Sequence, residues 1–129
     1  IASLLALAIV LSDGPAQAHT VGLSQGTITR ESDSHSAHVE LSFAKRDHEM
    51  LAGAPFVSMR DQKGAPCTTE ARGVRAEDDG FVSTFHVTCE ATPESARFTL
   101  WPRLPETHTL ALRIGERDVL VDHTQTEVL

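Results

Sequence analysis

With 129 residues and a net charge of −7, the chain is acidic, large enough for one compact domain and short for two. No Lys/Arg cluster exists beyond Lys45-Arg46, which excludes a basic nucleic-acid stripe and a polybasic lipid-binding patch. With no Tyr, five Phe and one Trp, the chain also lacks an aromatic platform for sugars.

Residues 1–11 are apolar and uncharged, and the segment closes on Ala16-Gln17-Ala18. That run is long enough for the core of a secretory signal and short of the ~20 residues of a membrane span. Residues 1–18 therefore read as a signal peptide lacking its front, and residues 19–129 as one extracytoplasmic domain. Cleavage after Ala18 would make His19 the mature amino terminus, offering both an amine and an imidazole to a transition metal. Past residue 11 there is no second long apolar run.

The dominant pattern downstream is alternation, the mark of half-buried strands. After a short strand over residues 21–29, Ala37, Val39, Leu41 and Phe43 alternate with His38, Glu40 and Ser42. Residues 44–52 break the pattern with helix formers, no β-branched side chain and Gly53 beyond, which predicts a short helix crossing between sheets. Shorter strands are expected over 56–60 and 68–74. Phe81, Phe85, Val87 and Cys89 then alternate with Val82, Thr84, His86 and Thr88, placing Cys89 on the inward face. A strand over 96–101 ends at Trp101-Pro102-Arg103-Leu104-Pro105, where two prolines demand a crossover, with Trp101 as a core or rim anchor. In the next strand His108, Leu110, Leu112 and Ile114 point inward, and a last strand covers 118–122.

Turn residues punctuate these runs at Ser32-Asp33-Ser34, Asp61 to Gly64, Glu77 to Gly80, Ala91 to Glu94 and Gly115-Glu116. The expected fold is all-β, an antiparallel β-sandwich with one short helix and one disulfide. Cys67 and Cys89 form that disulfide if the chain is exported, restricting the unfolded state by about 3 kcal/mol. The rival, a cysteine metal pair, lacks Cys-x-x-Cys spacing.

Seven histidines are the unusual feature: His19, His35, His38, His48, His86, His108 and His123. Imidazole is the commonest protein ligand for zinc, copper and nickel. His35 and His38 would face opposite sides of an extended strand, His48 and His123 lie in polar surroundings, and His86 should face water. His19 and His108 are the metal-ligand candidates, a terminal chelate joined by an inward imidazole at a strand end. Catalysis is not expected, for there is no Gly-x-Ser-x-Gly, no His-Glu-x-x-His and no phosphate-cradling Gly loop. Asp47, Glu49, Asp78 and Asp79 read as solvated acids of a helix or turn.

Several short motifs occur in order: Ala18-His19, Val21-Gly22-Leu23-Ser24-Gln25-Gly26, a strand running into Phe43-Ala44-Lys45-Arg46 and the short helix, Gly64-Ala65-Pro66-Cys67, an Asp79-Gly80 turn before the strand that closes on Cys89, and Leu104-Pro105-Glu106-Thr107-His108. Taken together the chain resembles the extracytoplasmic amino-terminal domain of HupE/UreJ-like membrane proteins. The resemblance implies a soluble β-domain preceding transmembrane helices, in a family associated with hydrogenase and urease accessory functions and with movement of nickel or related metals. It supports the Cys67–Cys89 disulfide and makes His19 and His108 natural positions for presenting metal to membrane helices of the same protein or of a partner. Those helices are absent from these 129 residues, so transport would reside outside them and the domain would be tethered through a missing carboxy-terminal region, in the periplasm or at the cell surface. Two other functions fit the residues: a free-standing periplasmic copper-binding module, and a metal-free envelope domain that contacts a partner through an exposed sheet edge.

Overall fold

The computed structural model describes residues 22–51 and 56–128; the signal-like segment and His19 lie outside them. Among the described residues, nine strands form two sheets. In chain order these are β1 (Leu23–Arg30), β2 (Ser36–Ala44), β3 (Val57–Asp61), β4 (Thr68–Glu77), β5 (Gly80–Thr88), β6 (Pro93–Phe98), β7 (Thr109–Ile114), β8 (Arg117–Val121) and β9 (Glu127–Val128). A six-stranded sheet runs β4-β5-β2-β1-β7-β8, and a three-stranded sheet runs β3-β6-β9. Helix α1 (Lys45–Leu51) carries the chain from the first sheet toward the second, and a 3-10 helix (Trp101–Arg103) precedes its return into β7.

The alternation works as expected in the central strands. Val39, Leu41 and Phe43 of β2 and Leu110 and Leu112 of β7 are buried against Val57, Met59, Ala96, Phe98 and Val128 of the small sheet. Phe56 bridges the middle, edge-on to both Phe43 and Phe85 at centroid distances of 5.5 and 5.7 Å. The all-β sandwich is thus present, with one difference from a fully antiparallel plan: β1 and β7 pair in parallel, Ser24 opposite Leu110 and Gly26 opposite Leu112. Parallel neighbours require a long crossover, and here the intervening chain visits the second sheet before re-entering beside β1. Strand β9 was not expected, being only two residues long.

Gly26 sits where β1 is flanked by β2 and β7. A Cβ there would lie 2.6 Å from Leu41 Cδ2, 3.0 Å from the Glu40 carbonyl and 3.1 Å from Leu112 Cδ1. Only a hydrogen fits. Val82 departs from the reading in which its face is wet: it lies on the outer face in register with Ser42 and Arg75, yet is buried.

The β4–β5 hairpin pairs Thr68 with Thr88 at its open end, so Cys67 and Cys89 stand next in line, and they are disulfide-bonded with Cα atoms 4.5 Å apart. Cys67 N–H also donates to the Met59 carbonyl of β3 at 2.9 Å. The disulfide therefore closes the exposed edge hairpin at the corner where the chain leaves the small sheet. Below that corner, buried Asp61 ties the 61–65 turn and the β5–β6 connection together, accepting from the N–H groups of Lys63, Ala65 and Ala91. Burial by itself would raise its carboxyl, but these three donors outweigh it and hold the group below its ordinary value.

Candidate functional site

Three segments converge at one end of the sandwich: the start of β1, helix α1, and the loop between the 3-10 helix and β7. Because β1 and β7 are parallel with Leu23 opposite Thr109, the residue preceding β7 comes to lie beside the first residues of β1. That residue is His108. Its backbone is set by a turn in which His108 N–H donates to the Pro105 carbonyl at 3.0 Å, and Thr109 N–H donates to the Gly22 carbonyl at 3.1 Å. Leu104-Pro105 thus fixes the angle at which the imidazole enters the core.

His108 is 1% exposed and its Nε2 lies 2.7 Å from Ser24 Oγ, which is fully buried on the inward face of β1. On its other side, Nδ1 lies 3.9 Å from Asp47 Oδ2 of α1, beyond hydrogen-bond reach. Asp47 Oδ2 accepts the Gly22 N–H at 2.9 Å. The Trp101 ring stands 6.4 Å from that of His108, tilted by 59°. Among the described residues, neither His108 Nδ1 nor Trp101 Nε1, both buried, has a hydrogen-bond partner. Arg103 Nη1 donates to the Leu51 carbonyl at 2.9 Å, locking the 3-10 helix onto the end of α1.

Burial lowers the His108 imidazole from its ordinary value, while the Asp47 charge acts in the opposite sense. The ring is therefore set to be neutral, which leaves one nitrogen as donor and the other as lone pair. If Nε2–H donates to Ser24, the lone pair is on Nδ1 and faces the carboxylate.

The inward histidine expected from β7 is thus found inward. Asp47 corrects the sequence reading of a solvated helix acid: at 2% exposure it is one of the most buried polar groups of the chain. The signal was weak, since α1 is only seven residues long and Leu51, four residues on from Asp47, is its other buried residue. Ser24 was not singled out at all. His19, the second expected ligand, lies outside the described residues, and among those residues no group of three or more His, Cys, Asp or Glu is arranged to hold a metal.

The remaining histidines are dispersed. His38 and His86 are cross-strand neighbours on the outer face, but each ring engages its own carboxylate, Glu40 and Glu31 respectively, both at 3.2 Å. His35 is exposed in the turn before β2, and His123 is exposed before β9. His48, read from the sequence as lying in polar surroundings, is half-buried: its ring stacks on Phe81 at 4.5 Å, and the burial lowers its basicity, with Glu49 opposing.

Ser24, His108 and Asp47 have the residue types of a hydrolytic relay, with the serine buried and the acid beyond hydrogen-bond reach of the ring. Ser24 has no solvent exposure, and Asp47 Oδ2 stands 3.9 Å from His108 Nδ1. Comparison with protein-family models and with curated proteins finds no match. The disulfide is compatible with an oxidising extracytoplasmic location, and among the described residues no helix is long and apolar enough to cross a membrane.

Proposed function

We propose that this chain is an exported, non-catalytic accessory domain of a HupE/UreJ-like membrane protein, and that it handles nickel or a related divalent metal on the extracytoplasmic side. The observation that carries the metal part is the state of His108. It is a buried, neutral-leaning imidazole whose Nδ1 has no hydrogen-bond partner among the described residues and only the Asp47 carboxylate nearby, a costly arrangement unless something else meets that atom.

His19 is the companion this reading assigns to it. Gly22 N–H is held on Asp47, and three peptide units separate Gly22 from His19, a contour of at most ~11 Å. If cleavage follows Ala18, that short length of chain would join the terminal His to the anchored Gly22. Burial of Ser24 favours accessory over catalytic work: a peptide or ester could not reach the hydroxyl, whereas an ion can be taken up as the chain folds after export.

The test is a calorimetric titration of the protein isolated from the extracytoplasmic fraction with Ni(II) and Cu(II), beside a form with one residue added before His19. Micromolar or tighter binding that weakens with the added residue supports the reading. Recovery of the protein in the cytoplasm with free thiols, or no binding by either form, contradicts it.

A further inference from the structure

We infer that the outer edge of β4 docks a second copy of this chain, paired antiparallel about a two-fold axis between Arg72 and Gly73, so that two six-stranded sheets join into one. The pairing requires no metal and holds whether or not His108 binds one.

Among the described residues β4 is the end strand of its sheet and pairs with β5 alone. It runs for 10 residues, all of them exposed or half-exposed, and contains no proline. An edge of that length is a template for another strand unless something interrupts it. The interruption here is the bulge between Ala71 and Gly73.

That bulge selects the self-pairing. In a regular strand residues five apart lie on opposite faces. The extra residue, Arg72, shifts the alternation, so Glu70 opposite His86 and Arg75 opposite Val82 share the outer face, while Ala71 opposite Phe85 and Val74 opposite Ser83 share the inner one. Residues directly opposite in an antiparallel pair must share a face. An axis between Arg72 and Gly73 meets that condition: each Glu70 faces the other copy's Arg75, each Ala71 its Val74, each Thr69 its Ala76, and the two bulges meet at the axis.

The chemistry distinguishes this register from its neighbours. An axis one step earlier, between Ala71 and Arg72, sets Arg75 against Thr68 and loses both ion pairs. One step later, Glu70 faces Glu77 and Arg72 faces Arg75, and opposed like charges destabilise a sheet. An axis through a residue sets outer side chains against inner ones. Only the central register opposes unlike charges twice. The Glu70 and Arg75 side chains are 64% and 55% exposed. Each already has a partner on its own strand, Arg72 at 3.0 Å and Glu77 at 3.4 Å, and Arg75 also stands 3.9 Å from Glu40. A carboxylate and a guanidinium each have capacity for a second ion pair. On the inner face, Val74 is 57% exposed, one of three large hydrophobic side chains left open among the described residues, and the pairing lays Ala71 of the second copy against it. The opposite end strand, β8, offers no equivalent. It has 5 residues, and its one acid, Asp118, is held at both oxygens by Arg113 at 2.9 and 3.1 Å.

One paired edge is a small interface, so association belongs in the micromolar to millimolar range. The experiment is sedimentation velocity across that range on the disulfide-bonded exported protein, beside Glu70→Arg, Glu70→Arg with Arg75→Glu, and Glu90→Arg as an exposed charge control away from the edge. Hydrogen exchange at both ends of the range accompanies it. Wild type and Glu90→Arg should dimerise, with β4 amides exchanging more slowly at high concentration. Glu70→Arg should weaken the dimer by at least about tenfold, because two attractive pairs become repulsive, and adding Arg75→Glu should restore it. A monomer at every concentration overturns the inference. So does a dimer indifferent to Glu70→Arg with protection elsewhere, as at β8, and so does failure of the double variant to recover. Should Glu70→Arg fail to fold, concentration-dependent exchange of the wild-type β4 amides decides.

Discussion

At the scale of single residues, two positions give predictions of opposite kind. Gly26 is a packing constraint: any side chain there must displace fully buried Leu41 or the β2 backbone. Gly26→Ala should destabilise the fold by about 1–3 kcal/mol, measured by urea unfolding, whereas Gly64→Ala, with open space around it, should act only through its positive φ. His108 is a titration constraint. Its burial makes the folded state bind a proton less readily than the unfolded chain does, so stability should fall as pH drops below the ordinary value of 6.5 toward the lowered value in the fold. His48, desolvated against Phe81, contributes in the same direction. Replacing His108 with Gln should flatten the slope of stability against pH in that window, and an unchanged slope would mean that the ring is not held neutral by burial. Asp61 acts later. Its lowered carboxyl contributes stability that persists above 3.8 and is lost only as pH falls through the lower value in the fold.

Among the elements, the β4–β5 hairpin is the part whose stability depends most on covalent closure. Every residue of β4 is exposed or half-exposed, and the strand bulges between Ala71 and Gly73, where Gly73 takes a φ of 148°. Such an edge gains little from burial, so the Cys67–Cys89 bond at its open end substitutes for packing. Reducing the bond, or replacing both cysteines with Ser, should lower stability by about 3 kcal/mol on the chain-entropy model. Hydrogen exchange should then quicken first at β4 amides and last in β2 and β7, and uniform quickening would show that the disulfide supports the whole sandwich. Helix α1 has a different role: seven residues are too few to be stable alone, and it is held by Lys45 N–H on the Asp79 carbonyl and by Arg103 on the Leu51 carbonyl. Its service is to carry Asp47 to the end of β1.

For the molecule as a whole, what was legible in the sequence is what period-two patterning encodes. The inward sets of β2, β5 and β7, the short helix, the crossover at Trp101 to Pro105 and the cysteine pair all follow from local alternation and turn chemistry. The parallel β1–β7 pair was not legible, because alternation says which face a strand buries and nothing about which strand lies beside it. The same blindness hid the site. Ser24 and Asp47 become partners of His108 only through that pairing and through the way α1 folds back, across 84 and 25 residues of chain for the contacts Ser24–His108 and Gly22–Asp47. Asp47 looked like a solvated acid since its neighbours Arg46 and Glu49 are exposed and charged.

The central claim, proposed above, is that His108 binds a divalent metal, and Trp101 would report on such an ion directly. It is the only tryptophan of the chain, it is buried, and its ring lies 6.4 Å from the His108 ring. Titrating the exported protein with Cu(II) while following Trp101 fluorescence, beside a folded His108→Ala control, should give saturable quenching at one equivalent in the wild type and none in the variant. Equal quenching in both proteins, or none in either, would contradict the account.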